Sequence, residues 1–233
     1  MRLNPSWTLK SGIVIRVLNY NDWMIYNDIF VEGEYDTAID DLLAAGREGL
    51  RPARILDLGG NVGFFTLRLA DRFLRKGRTD FQVTMVEGSP STYAELRERL
   101  AANEPLLAKR VTAVHGLAGE RAGFAEIVES ESHGENTILD RARGGEKVAF
   151  LDLEELVKSW ERIDLLKCDI EGAEELFLRN YSGLIRKTER AVFEFHHDKC
   201  DIPLCRRVLA ESGLKNTLTV REFGHCSVEF FRR

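Results

Sequence analysis

Arg54-Ile55-Leu56-Asp57-Leu58-Gly59-Gly60-Asn61-Val62-Gly63-Phe64-Phe65-Thr66-Leu67-Arg68-Leu69-Ala70 is the stretch from which the rest of the chain is read. Ile55, Leu56 and Leu58 flank a single acid, as in a buried strand, and the apolar residues after Gly63 fall at helical spacing. A glycine turn lies between them. Glycine lets the backbone take positive φ and approach a ligand closely, and the free N–H groups of the helix start point into the turn. The stretch therefore predicts a nucleotide cradle. A dinucleotide fingerprint beginning at Gly59 would need glycine at position 61 and a small residue at position 64, and Asn61 and Phe64 exclude it.

Asp57-x-Gly59-x-Asn61-x-Gly63 instead resembles the first motif of S-adenosylmethionine-dependent methyltransferases, with Asn61 in the place of the middle glycine. An acid at the strand end can accept a hydrogen bond from the cofactor's ammonium, directly or through water, where it would repel a pyrophosphate.

With 233 residues and a mass of 26.5 kDa, the chain suffices for one α/β domain with a full core and a small appendage. We expect a hairpin-and-helix cap over residues 1–50 and a cofactor-binding domain over 51–233. The net charge of −5, with acids and bases mixed throughout, makes no electrostatic case for nucleic acid or an anionic membrane. Cys168, Cys200, Cys205 and Cys226 show no spacing of a disulfide framework or zinc site, which suits a reducing cytoplasm. The N-terminus lacks the apolar core of a signal peptide, and no apolar run reaches membrane-spanning length.

In chain order, alternation over 13–18 and 23–30 about a turn at 19–22 predicts a β-hairpin. Asp36 is placed to cap a helix carrying Ile39, Leu42 and Leu43 that ends near Gly46. Trp23, Tyr26 and Tyr35 read as packing aromatics, with an active-site lining role for one of them as the alternative. A second strand, 81–86, finishes at Glu87-Gly88-Ser89-Pro90, where Ser89 is an N-cap and Pro90 a first helical residue. Glu87 at that strand end is positioned to reach ribose hydroxyls. A third strand, 111–115, ends in Gly116-Leu117. Short strands at 124–128 and 148–151 flank a loop over 129–146, carrying His133, Asn136 and Thr137, which reads equally as a substrate lid or a solvated loop. Asp152 caps a short helix.

The second informative stretch is Lys167-Cys168-Asp169-Ile170-Glu171-Gly172-Ala173-Glu174, a strand ending in acids that are costly to bury unless paired or used. It resembles the signature of the FkbM-type methyltransferase family, K-[IV]-D-[IV]-E-G-A-E, with Cys168 at an apolar position. The glycine turn, the Glu87 strand end, Phe150-Leu151-Asp152-Leu153 and Phe193-Glu194-Phe195-His196 follow in that family's order. The resemblance covers about 54–197. It implies a class I methyltransferase fold: a Rossmann-like, seven-stranded, mostly parallel sheet of order 3-2-1-4-5-7-6, closed here by a hairpin over 214–231 with His225 as a turn residue. It also implies S-adenosylmethionine, held by Asp57, Gly59, Gly60, Asn61, Gly63, Phe64, Glu87, Gly88, Ser89, Gly116, Leu117 and Asp169.

The expected activity is O-methylation of a hydroxyl on a small metabolite or sugar, with N-methylation and a non-catalytic cofactor-binding module as alternatives. No Asp/Asn-Pro-Pro-Tyr sequence follows the fourth strand, which argues against methylation of nucleic-acid amines. Asp169, Glu171 and His196 are the catalytic candidates: His196 as proton acceptor because its intrinsic pKa is near neutral, Glu171 as second choice, and Asp169 orienting the donor. Glu194 reads either as a partner on the same face as His196 or as a salt bridge to Lys167. No metal is expected, because no second acid pair stands at ligand spacing.

Overall fold

The computed structural model describes residues 5–45, 51–128, 137–139 and 145–233. The chain begins with strands β1 (Ser6–Thr8) and β2 (Val14–Arg16), helix α1 (Tyr20–Tyr26), a π-helical turn (Asn27–Val31) and helix α2 (Asp36–Ala44). The quoted stretch follows as β3 (Ala53–Leu58) and α3 (Phe64–Arg75), then β4 (Phe81–Glu87), α4 (Pro90–Ala102), α5 (Glu104–Leu107) and β5 (Val111–His115). A small antiparallel sheet holds β6 (Phe124–Val128), β7 (Thr137–Leu139) and β8 (Glu146–Ala149). The remainder is α6 (Leu153–Leu156), β9 (Leu165–Cys168), α7 (Glu174–Asn180), α8 (Ser182–Arg186), β10 (Arg190–His196), α9 (Ile202–Glu211), β11 (Lys215–Phe223) and β12 (Cys226–Arg232).

Seven strands form the central sheet in the order β11-β12-β10-β9-β3-β4-β5, with only β12 antiparallel to its neighbours. This is the expected order. Strand alternation divides the core: Ile55, Leu165 and Val192 pack with α2 and α3, while Leu56, Leu166 and Phe193 pack with α6 to α9. The two apolar faces make a three-layer α/β/α molecule. Among the described residues, no helix is long and apolar enough to cross a membrane.

The N-terminal region departs from the expected hairpin. Residues 23–30 are helical, and the hairpin lies earlier, with Trp7 opposite Ile15. The Asn19 side chain caps α1 by accepting from Asp22 N–H at 2.8 Å. Trp23, Tyr26 and Phe30 then stack at helical spacing, with centroids 5.9 and 5.0 Å apart. Over eight residues, alternation and a helical stripe select almost the same apolar positions, and here the cap settles the outcome. Asp22 is fully buried against Arg99 of α4 and accepts from Leu18 N–H. The Asn103 side chain exchanges two hydrogen bonds with the Val14 backbone, at 2.7 and 2.9 Å. These contacts tie the N-terminal region to the sheet's helices, and both share one apolar core.

Of the loop expected over 129–146, residues 137–139 form β7 against β6, and the last strand runs from Glu146 rather than over 148–151. His133, Asn136 and Gly46 lie outside the described residues.

Candidate active site

Gly59 leaves β3 with φ +73°, and a Cβ there would sit 1.6 Å from the Asp169 carbonyl oxygen. Only glycine lets the β3 and β9 strand ends come this close. Asn61 also has positive φ, +46°, in the left-handed region that asparagine tolerates better than most residues, which explains its place in the motif. Its side-chain oxygen accepts from Val62 N–H, and its own N–H donates to Glu87 Oε2, both at 2.8 Å. Ser89 N–H donates to the other oxygen of Glu87 at 2.8 Å, and Ser89 Oγ caps α4. Burial raises the Glu87 pKa, opposed by these two backbone donors.

Two cavities open over these strand ends. The smaller is walled by Gly59, Asn61, Glu87, Gly88, Ser89, Gly116 and Leu117, with Ile127 from β6. The larger, about 570 Å³, takes Gly60, Asn61 and Phe64 from the glycine turn and Lys167, Glu194 and His196 from β9 and β10. Asn61, Asp169 and Glu171 line both. Of the expected cofactor residues, Gly63 and Asp57 line neither.

Asp57 is 0% exposed, and its carboxylate accepts from Thr66 Oγ1 at 2.9 Å. Burial pushes its pKa up to about 6, with Lys167 pulling the other way. Parallel register sets Lys167 opposite Asp57, so the Lys167 ammonium turns to Gly59 O at 2.6 Å, Asp169 at 3.1 Å and Asp57 at 3.8 Å. Burial opposes that ammonium, but the two aspartates outweigh it and raise its pKa. Lys167 forms no ion pair with Glu194 among the described residues; its partners are on the cofactor side.

His196 sits between two carboxylates: Nε2 is 3.2 Å from Glu171 and Nδ1 is 3.3 Å from Glu174. Burial pulls its pKa down, but the pair of acids prevails and lifts it to about 11. An imidazolium held by two carboxylates keeps its proton at neutral pH, which weighs against the proton-acceptor role expected of His196. Glu174 is the hub of the second motif. Its Oε1 accepts from Ile170 N–H at 3.0 Å and Gly172 N–H at 3.1 Å, fixing the turn in which Glu171 has φ +57°. Asp169, Glu171 and His196 offer one ligand atom each within 4.8 Å of one another, and the His196 ring nitrogens face Glu171 and Glu174.

The far wall of the larger cavity comes from residues that the sequence did not place in the site. Asp28, Glu34 and Tyr35 arrive from the N-terminal region, and Arg221, Phe223, His225 and Cys226 from the closing hairpin. Arg221 joins the two, 2.9 Å from Asp28 and 3.0 Å from Glu34. His225 and Tyr35, read as turn and packing residues, both line the cavity.

Comparison with known proteins bears on the fold and the family. Over 91% of its length the chain is 27% identical to a segment of the AMB antimetabolite synthetase AmbE of Pseudomonas aeruginosa, of which it spans 11%. Among the solved structures that match, two illustrate the shared fold. Methyltransferase FkbM from Methylobacillus flagellatus has TM-score 0.52 and 15% identity, covering 91% of this chain and 62% of that one. Magnesium protoporphyrin IX methyltransferase from Synechocystis, solved with bound S-adenosylmethionine, has TM-score 0.50 and 16% identity, covering 93% and 85%. The family model described as the methyltransferase FkbM domain matches residues 57–214, from the acid of the glycine turn to the start of the closing hairpin, and the chain belongs to that family.

Proposed function

We propose that the chain transfers a methyl group from S-adenosylmethionine to a hydroxyl oxygen of a small metabolite. The observation that carries this reading is the pair of cavities meeting at Asn61, Asp169 and Glu171: a narrow one beside Glu87 and a wide one beyond it. The residues fit the cofactor. Two of the roughly four acceptor sites of Glu87 are used by backbone donors, leaving the others for ribose hydroxyls. Gly59 presents only backbone to the narrow cavity. When bound, S-adenosylmethionine supplies an activated methyl on a positive sulfonium. What remains to the protein is in-line positioning and exclusion of water.

The wall of the larger cavity carries Asp28, Glu34, Asp169, Glu171, Glu194 and Asp198 together with Lys167, His196, Lys199 and Arg221. Such a wall of largely paired charges offers hydrogen bonds to a neutral polar acceptor, and a hydroxyl keeps its lone pairs at any pH, whereas an aliphatic amine is an ammonium near neutrality. The chain's net charge of −5 makes no electrostatic case for a phosphate backbone, so we propose no nucleic-acid substrate. Similarity to a segment of an antimetabolite synthetase supports a biosynthetic small molecule. The four cysteines are free and buried, which supports a cytoplasmic site of action. Glu171, paired with His196, is assigned to orient the acceptor. The test is transfer of labelled methyl to a panel of hydroxylated metabolites and matched amines. Label in O-methyl products is expected, and label confined to nitrogen would sink the reading.

A further inference from the structure

Glu194 differs in its partners from the other carboxylates set into the wall of the larger cavity; Asp198, which also lines it and has no ion pair among the described residues, is exposed. Asp28 and Glu34 share Arg221, Asp169 has Lys167, and Glu171 has His196. Among the described residues Glu194 has no ion pair. The Cys226 thiol of β12 hydrogen-bonds to it, while Asp169 at the end of β9 and Glu34 ahead of α2 face it with like charge. His196 on its own strand, Lys167 of β9 and Tyr35 are the other titratable groups near enough to interact electrostatically. Burial, then Asp169 and Glu34, push its carboxyl up to about 8. Such a group is short of one positive charge and close to the pH at which it must work.

We propose that Glu194 is the proton acceptor of the methyl transfer and that the cofactor's charge sets its state: carboxylate beside the sulfonium, carboxyl once that charge is gone. This rests on the reading of the cavity as a hydroxyl methylation site. Glu194 takes the hydroxyl proton as the acceptor oxygen bonds to the methyl carbon and the carbon–sulfur electron pair goes to sulfur. One positive and one negative charge are replaced by a neutral thioether and a neutral carboxyl, the product is the methyl ether, and the proton later leaves to water. Loss of two opposite charges suits a buried site, where isolated charges are costly. The other candidates are committed or lie at the surface: His196 holds its proton, Asp169 and Glu171 hold cations, and Asp198 is exposed.

The test compares proton release on binding S-adenosylmethionine and S-adenosylhomocysteine, by calorimetry near pH ~7.3 in two buffers of different ionisation enthalpy. The sulfonium should expel the Glu194 proton and the thioether should not, so the first ligand releases roughly half a proton more than the second. In Glu194→Gln, a near-isosteric change whose folding is checked by unaltered S-adenosylhomocysteine affinity, the difference should vanish. Equal release by the two ligands, or a difference that survives in the variant, overturns the proposal. With any acceptor that is turned over, the variant should lose at least about 10²-fold in kcat, and a parental kcat overturns the base role. If neither ligand binds the parent protein, the methyltransferase reading falls, and this one with it.

Discussion

The cofactor rim and the acceptor wall face each other across one cavity and are built on different principles. The rim comes from short continuous motifs at adjacent strand ends, where positive φ at Gly59 and Asn61, the Ser89 cap and the Glu174 hub fix the backbone locally. The wall is assembled from distant parts of the chain. The Arg221 to Glu34 contact spans 187 residues and exists only once the closing hairpin has paired against β10. The rim is thus held by backbone geometry and the wall by charge, which predicts that damage to each should have a different signature.

Gly59→Ala should have the largest effect. Its Cβ would require the backbone of β3 or β9 to move, at a φ unsuited to alanine. We expect S-adenosylhomocysteine affinity to fall by at least about 10³-fold, or about 4 kcal/mol, with a lower melting temperature. Calorimetric affinity within fivefold of the parent would show that the rim is not set by this close approach.

His196→Gln acts where rim and wall meet. The folded pKa of about 11 lies above the ordinary value of 6.5, so the ionic contribution is full below about pH 6.5 and is lost as pH rises through 11. Breaking this buried cluster, with glutamine still able to donate to one acid, should cost about 2–3 kcal/mol near neutrality. Urea unfolding of parent and variant across alkaline pH should show the gap closing upward. A constant gap would mean that packing, not charge, holds the cluster.

Glu87→Ala tests the rim alone. It removes the expected ribose acceptor and leaves the Asn61 and Ser89 N–H groups without it, so a loss of about 1.5–3 kcal/mol in S-adenosylhomocysteine affinity is expected. Parental affinity would remove the ribose assignment.

The rim was legible because each requirement is written beside the residue that meets it: glycine or asparagine where φ is positive, serine before proline where a helix begins. The seven-strand order came with the family that these motifs resemble. The wall was not legible, for physical reasons that can be named. Alternation over 23–30 coincided with a helical stripe, and the Asp22 to Arg99 pair that anchors α1 joins residues 77 apart. Lys167 could be matched to Glu194 by sign, but parallel register placed it opposite Asp57. His196 was judged by its intrinsic pKa, and the two glutamates that change it belong to a turn whose hydrogen bonding the sequence does not display.

Arg221→Met should have the smallest effect and separates the two regions most directly. Arg221 touches Asp28, Glu34 and, at 3.9 Å, Glu32, yet its side chain is 30% exposed, so screening limits the stability cost to about 1 kcal/mol or less. The loss is further bounded because Glu34, already raised in pKa by burial, can take up a proton when its cation is removed. Neutral Glu34 would then repel Glu194 less, so the variant should shift acceptor turnover while the rim, which Arg221 does not touch, binds S-adenosylhomocysteine within about twofold of the parent. Calorimetry on Arg221→Met and Glu87→Ala side by side decides the matter. If the arginine variant loses as much cofactor affinity as the glutamate variant, wall and rim form one electrostatic unit, and the division between backbone-built and charge-built halves does not hold.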